Sequence, residues 1–150
     1  MNWTLGNKEI TEPPKGYAGF VYLITNSETG MKYIGRKYFW SVRKLKGKTR
    51  RQRSESNWQD YYGSSKVLLE DLEKIGKEAF IRQMLSIHKT NGDVNYEEVK
   101  QQFIHDVLET EGWYNENING KWHRKPEHIM EARIYNESCD LRSIGKPSEV

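Results

Sequence analysis

Apolar and polar positions along this chain alternate in two distinct rhythms. Tyr17 to Ile24 is dense in aromatic and β-branched residues, as a strand requires, and Met31 to Lys37 repeats the pattern. Asn26-Ser27-Glu28-Thr29-Gly30 between them has turn composition, so the two segments predict a hairpin. A helical period follows further on. Ser64-Ser65 supplies an N-cap, Leu68, Leu69, Leu72 and Ile75 share one face, and Gly76 closes the helix. Phe80 to His88 predicts a third strand, with a turn at Asn91-Gly92-Asp93. Asn95 then caps a helix from about Tyr96 to Glu109, with Val99, Phe103, Ile104, Val107 and Leu108 at helical spacing. The segment after the hairpin is expected to begin as a short helix and continue as a loop around Gly47. Residues 1–16 read as an irregular arm, and a further short helix is expected near Pro126. The pattern predicts a small α/β domain of the α+β kind over residues 17–120, a three-stranded sheet flanked by helices. Residues 121–150 form a C-terminal extension.

Composition narrows the class. A chain of 150 residues is long enough for one core and not for two. No apolar run approaches the ~18 residues of a membrane span, and Met1 to Pro14 carries no pattern of a signal or transit peptide. A single cysteine, Cys139, excludes an internal disulfide and any zinc cage built on paired cysteines. A reducing, cytoplasmic setting fits. His88, His105, His123 and His128 show no ligand spacing with it, and no Gly-rich phosphate loop or nucleophile elbow occurs.

The net charge of +3 conceals an uneven distribution. Lys32, Arg36, Lys37, Arg43, Lys44, Lys46, Lys48, Arg50, Arg51 and Arg53 fall within residues 31–53, which hold no acid, so the rest of the chain is acidic overall. A solvated basic loop would have this charge. Tyr38, Phe39 and Trp40 inside the block add flat faces for bases to charges for phosphates, which favours a polynucleotide surface. Lys121-Trp122-His123-Arg124-Lys125 is a second basic, aromatic cluster, either an auxiliary DNA contact or a surface turn.

The hairpin brings two tyrosines together. Pairing Thr25 with Gly30 steps outward to Ile24 with Met31 and sets Tyr22 opposite Tyr33 on one face. An aromatic cross-strand pair alone would do no more than support the sheet, by roughly 0.2–1 kcal/mol. Yet Gly19-Phe20-Val21-Tyr22 and Tyr33-Ile34-Gly35 resemble the signature of the GIY-YIG nucleases, with Phe and Val where the first triplet usually has Gly and Ile. Ser64-Ser65-Lys66 opening a helix, the passage Ile75-Gly76-Lys77-Glu78-Ala79-Phe80, and Tyr114-Asn115 are similar to the family pattern too. The likeness therefore spans roughly residues 17–120 and is closest to small, stand-alone, phage-like members.

The resemblance implies a DNA endonuclease using one Mg²⁺ or Mn²⁺ ion, acting as monomer or homodimer away from membranes, in a bacterial or phage-infected cell. It gives Tyr22 the task of assisting the attacking water and Tyr33 that of shaping the site. An arginine on a helix after the hairpin would neutralise the phosphate, which places Arg43 there with Arg36 as understudy. The metal-holding glutamate would stand on the last long helix. Strict register puts Lys100 there, with Glu98 two residues away as the choice and Glu97 as the alternative; Glu98 also fits the N3 position of a capping box. The histidine often found a turn beyond the arginine is replaced by Gly47, a place that Tyr61 or Tyr62 could fill. Arg36, Lys37, Lys44, Lys46, Lys48, Arg50, Arg51, Arg53, Ser64, Ser65 and Asn115 complete the expected DNA contacts. Homing, restriction, repair and branched-DNA cleavage are all compatible. The rival from another class is a non-catalytic nucleic-acid-binding protein on the same scaffold. So short a chain beyond the nuclease core leaves no room for a long separate DNA-reading domain.

Overall fold

The structure is a computed structural model that describes residues 2–44, 46–47 and 50–125. The expected helix near Pro126 and the side chain of Lys48 lie outside these residues. The elements run β1 (Thr4–Leu5), β2 (Lys8–Glu9), β3 (Gly19–Asn26), β4 (Lys32–Tyr38), β5 (Trp40–Lys44), β6 (Arg51–Glu55), α1 (Lys66–Ile75), β7 (Phe80–His88), α2 (Asn91–Ile104), β8 (Asn117–Ile118) and β9 (Trp122–His123). Five strands form one mixed sheet in the order β2-β1-β7-β3-β4, in which only β1 and β7 run parallel. The architecture is the expected α+β class. Among the described residues no helix is long and apolar enough to cross a membrane.

Strand β3 is central, and its alternation divides the core. Phe20, Tyr22 and Ile24 face a layer containing Leu68 of α1, Phe80 and Trp58, while Val21 faces Val94 of α2, Val107 and Leu108. The arm is not irregular as expected: its β1–β2 ribbon extends the sheet. Trp3 anchors it, with its ring 5.0 Å from Phe20 and 5.1 Å from Tyr22, and its indole N–H donating to the Trp58 carbonyl at 2.8 Å.

Three local expectations are corrected. The hairpin register sets Tyr22 opposite Gly35 and Ile24 opposite Tyr33, so Tyr22 and Tyr33 are diagonal neighbours. The four-residue loop has slid forward by one because Gly30, at φ +78°, occupies a left-handed position that belongs to a turn and not to a strand. Asn26 ends β3 instead, and its side-chain oxygen accepts from the N–H groups of Glu28 and Thr29. The slip leaves both tyrosines on one face, since a shift by two in the pairing preserves it.

The second correction concerns the basic segment. No helix follows the hairpin; β5 and β6 form a separate antiparallel ribbon, with Arg43 opposite Gln52. Trp40-Ser41-Val42 favours extended backbone, and the base is tied down where Trp40 donates to the Tyr17 carbonyl.

Third, α2 begins five residues before its expected start. Thr90 is the N-cap, its hydroxyl accepting from the Asp93 N–H, so the expected turn at Asn91-Gly92-Asp93 is the first turn of the helix. Glu98 is therefore mid-helix and not part of a capping box. The inward residues of α2 are Val94, Glu98 and Gln102, whereas Phe103 and Ile104 are exposed.

With Trp3 buried against the rings of Phe20 and Tyr22, Trp3→Ala should lower the free energy of unfolding by about 3–5 kcal/mol. Urea denaturation measures this; an unchanged midpoint would mean that the arm contributes nothing to the core.

Candidate active site

Strand β4 lies at the sheet edge, and the chain seals only part of that edge. Lys32 exchanges backbone hydrogen bonds with Gly112 and Tyr114 at 2.9 and 2.7 Å. At Ile34 a side chain takes over: Asn115 accepts from the Ile34 N–H through Oδ1 at 3.1 Å and donates to the Ile34 carbonyl through Nδ2 at 2.8 Å. Gln102 donates to the same carbonyl at 2.9 Å. Beside this clip opens a cavity of about 580 Å³, lined by β4, the start of α1, the inward face of α2 and the segment from Tyr114 onward.

Each element contributes a chemically active group. From β4 come Tyr33 and Arg36, from α1 Ser64-Ser65-Lys66, and from α2 Glu98 and Gln102. The Tyr33 hydroxyl lies 3.2 Å from Ser64 Oγ. Arg36 Nη1 donates to Glu98 Oε1 at 2.6 Å, a charge-assisted contact in a partly buried setting. Burial pushes the Glu98 carboxyl up from the ordinary carboxylate range, with Arg36 opposing it. Gln102 stands one helical turn beyond Glu98, and its Oε1 is buried with no hydrogen-bond partner. The Ile34 carbonyl fixes its orientation, because a flipped amide would set oxygen against oxygen.

Tyr22 lies behind the cavity, 1% exposed, its ring 6.1 Å from Tyr33 and edge-on to Tyr61 at 6.0 Å. Burial raises the Tyr22 phenol well above its usual range, and the neighbouring phenols of Tyr33 and Tyr61 add to the effect. Tyr33 is raised as well, again chiefly by burial, with Ser64 acting in the opposite direction. Both side chains depend on the absence of a side chain at Gly35. A Cβ there would stand 2.4 Å from the Tyr22 hydroxyl and 2.8 Å from Tyr33 Cε1.

The other expected site residues are dispersed. Arg43, Lys44, Arg51 and Arg53 are on the exposed β5–β6 ribbon, with Lys46 and Arg50 beyond its described ends. Arg43 does not line the cavity, and the helix expected to present it is absent; Arg36 is the arginine that does. Lys37 stacks its ammonium 4.1 Å over the Tyr61 ring. Ser65 caps α1, accepting from the Leu68 N–H. Asn115 lines the cavity with both amide groups engaged by Ile34. Glu97 accepts from Gln101 along the helix and is not at the cavity, while Lys100 lines an adjoining hollow with Arg36. Tyr62 is buried in the core. In the second basic cluster Arg124 bends back to donate to the carbonyls of Asn115, Thr110 and Val107.

Sequence reasoning passed over two contributors. Gln102 could have been found as the residue one turn after Glu98. Arg82 had no such signal: it donates to the carbonyls of Gln59 and Tyr61 and stacks 4.2 Å from the Tyr62 ring, holding the loop that leads to Gly63.

The fold and cavity define a small α+β domain with a tyrosine hairpin and its buried polar groups gathered beside one sheet edge. Residues 3–118 match the family model described as "Putative endonuclease segE, GIY-YIG domain", and the chain belongs to this GIY-YIG endonuclease family. No curated protein and no solved structure matches the chain significantly. The match begins at Trp3, the residue that anchors the arm.

Since a methyl group at Gly35 would meet both phenols, Gly35→Ala should cost about 1–3 kcal/mol of stability. Tyrosine fluorescence or ring resonances in NMR should report displaced Tyr22 and Tyr33. Wild-type stability with unshifted rings would contradict this packing.

Proposed function

We propose that the protein is a DNA endonuclease that hydrolyses phosphodiester bonds at the cavity beside β4 with one divalent ion, Mg²⁺ or Mn²⁺. The observation that carries the reading is the meeting of Arg36, Glu98 and Tyr33 in one cavity within a domain of this family.

The residues present fit such an ion. Among the described residues no group of three acidic or metal-ligating side chains gathers, so a site built only from protein ligands is not available. Mg²⁺ rarely needs one: it keeps several waters and takes one or two protein oxygens. Glu98 supplies a carboxylate, and the orphan Oε1 of Gln102 supplies a neutral oxygen or a hold on a bound water. When bound, the ion would acidify a water and stabilise charge developing on the phosphate.

This chain's own residues then do the following. Arg36 neutralises the scissile phosphate, its planar guanidinium matching two oxygens at once. To do so it must turn from Glu98, which frees that carboxylate for the cation; the ion pair thus holds both partners near the site before substrate arrives. Tyr33 and Tyr22 act as neutral phenols, because burial raises both above their usual range and neither ionises unaided at neutral pH. Tyr33, on the cavity wall, orients the attacking water by hydrogen bonding, the water's proton leaving to solvent through the open cavity, and Tyr22 behind it fixes the ring of Tyr33. Ser64 keeps the Tyr33 hydroxyl in place.

Purified chain with Mg²⁺ should nick or linearise plasmid DNA, and EDTA should abolish the cleavage. Glu98→Gln and Arg36→Ala should each lower the rate by about 100-fold or more, in the range seen when a charge-stabilising group is removed, and Arg36→Lys should recover part of the loss. Failure of the wild type to cleave with either Mg²⁺ or Mn²⁺, while still binding DNA, would favour a binding protein on a nuclease scaffold.

A further inference from the structure

The β5–β6 ribbon meets the core only at its base, through Trp40. From Val42 outward every described residue of both strands is exposed. A lone two-stranded hairpin is marginal in water, so a protruding one is best understood through what it meets. Its charge names the partner class: Arg43, Lys44, Lys46, Arg50, Arg51 and Arg53 stand on or beside it. The only acid on the two strands is Glu55, at the base, which is tied to the Trp58 indole.

The register sorts these side chains into two faces. Ser41 and Arg43, with their partners Ser54 and Gln52, point to one side. Val42 and Lys44, with Arg53 and Arg51, point to the other, together with Trp40, over whose ring Arg53 stacks at 4.2 Å. The first face carries groups that hydrogen-bond base edges: an arginine that matches guanine, a glutamine that matches adenine and two hydroxyls. Ser41 and Ser54 already hold each other at 3.2 Å, which aligns the face.

We infer that the β5–β6 ribbon inserts into the major groove of duplex DNA, with Arg43 and Gln52 reading base edges and Lys44 and Arg51 gripping the flanking phosphates. The inference rests on the nuclease reading and adds to it the residues that select sequence. Dimensions agree, since strands about 4.8 Å apart with their side chains fit a groove about 12 Å wide that admits a two-stranded ribbon. Location agrees as well. A second hollow joins the ribbon base at Trp40 and Ser41 to Lys37, Tyr61 and Arg36, and Arg36 also lines the active-site cavity. A duplex gripped by the ribbon is therefore in reach of the site along one continuous surface.

The test uses the full chain in EDTA, with a pool of randomised duplex DNA, repeated selection and sequencing of the bound fraction. The wild type should enrich a short preferred sequence, and Arg43→Ala with Gln52→Ala should reduce discrimination by between about fivefold and about 150-fold at the contacted positions. Lys44→Ala with Arg51→Ala should keep the preference, weaken binding to all sequences and flatten the logarithmic salt dependence by about two. An RNA duplex of equal length should compete poorly, because its deep, narrow major groove excludes the ribbon. A wild type without preference, a preference intact in the Arg43, Gln52 variant, or equal competition by RNA would each overturn the inference. Plasmid cleavage by the same preparations separates the two readings. Cleavage with unaltered preference sinks the ribbon alone, whereas absence of both binding and cleavage sinks the nuclease reading with it. All four side chains are exposed and outside the core, so circular dichroism should show the variants folded.

Discussion

The clip on Ile34 is the constraint from which the rest of the site follows. An edge strand presents unpaired backbone groups, and a folded chain must pair, cover or charge them. Here the segment from Gly112 to Tyr114 pairs with Lys32, and then the amide of Asn115 imitates a further strand residue at Ile34. Gln102 joins on the same carbonyl from α2. One backbone unit thus ties the sheet, the helix that carries Glu98 and the segment that closes the cavity. Beyond that unit Arg36 lies beside the open cavity, next to Glu98.

That arrangement explains an inward helix face that would otherwise be a poor choice. A helix packed on a sheet ordinarily turns an apolar stripe towards it. α2 turns Val94, Glu98 and Gln102 instead, and leaves Phe103 and Ile104 in solvent. A buried carboxylate and amide are costly unless they are partnered. Arg36 and Ile34 partner them in part; the orphan oxygen of Gln102 is the remainder. Local rules broken at one spot, inside a fold that obeys them elsewhere, are characteristic of functional sites.

The tyrosine hairpin shows how a local error can leave a conclusion intact. The register differs from the expected one by two residues, yet side chains alternate with a period of two, so Tyr22 and Tyr33 share a face in either register. What the slip changes is the neighbour of Tyr22: a glycine, against which its hydroxyl is pressed, and not a second tyrosine. This tight packing places Tyr22 behind the cavity and Tyr33 on its wall.

The sequence by itself determined the elements whose signals are local. The α1 helix with its Ser65 cap and Gly76 end, the β7 strand and the existence of the tyrosine hairpin follow from periodicity and capping, interactions within a few residues of one another. Family membership was legible for the same reason, through short motifs in order. Tertiary structure alone decided the rest. Whether the basic segment would coil or pair depended on tethering its base at Tyr17, and the start of α2 on a threonine cap that competes with an equally plausible asparagine. Which of Glu97, Glu98 and Lys100 faces the cavity turned on which side of α2 meets the sheet. Arg36 rather than Arg43 reached the carboxylate because one stayed on β4 beside α2 while the other was carried out on the ribbon. These are contacts between residues far apart in the chain, and no local pattern encodes them.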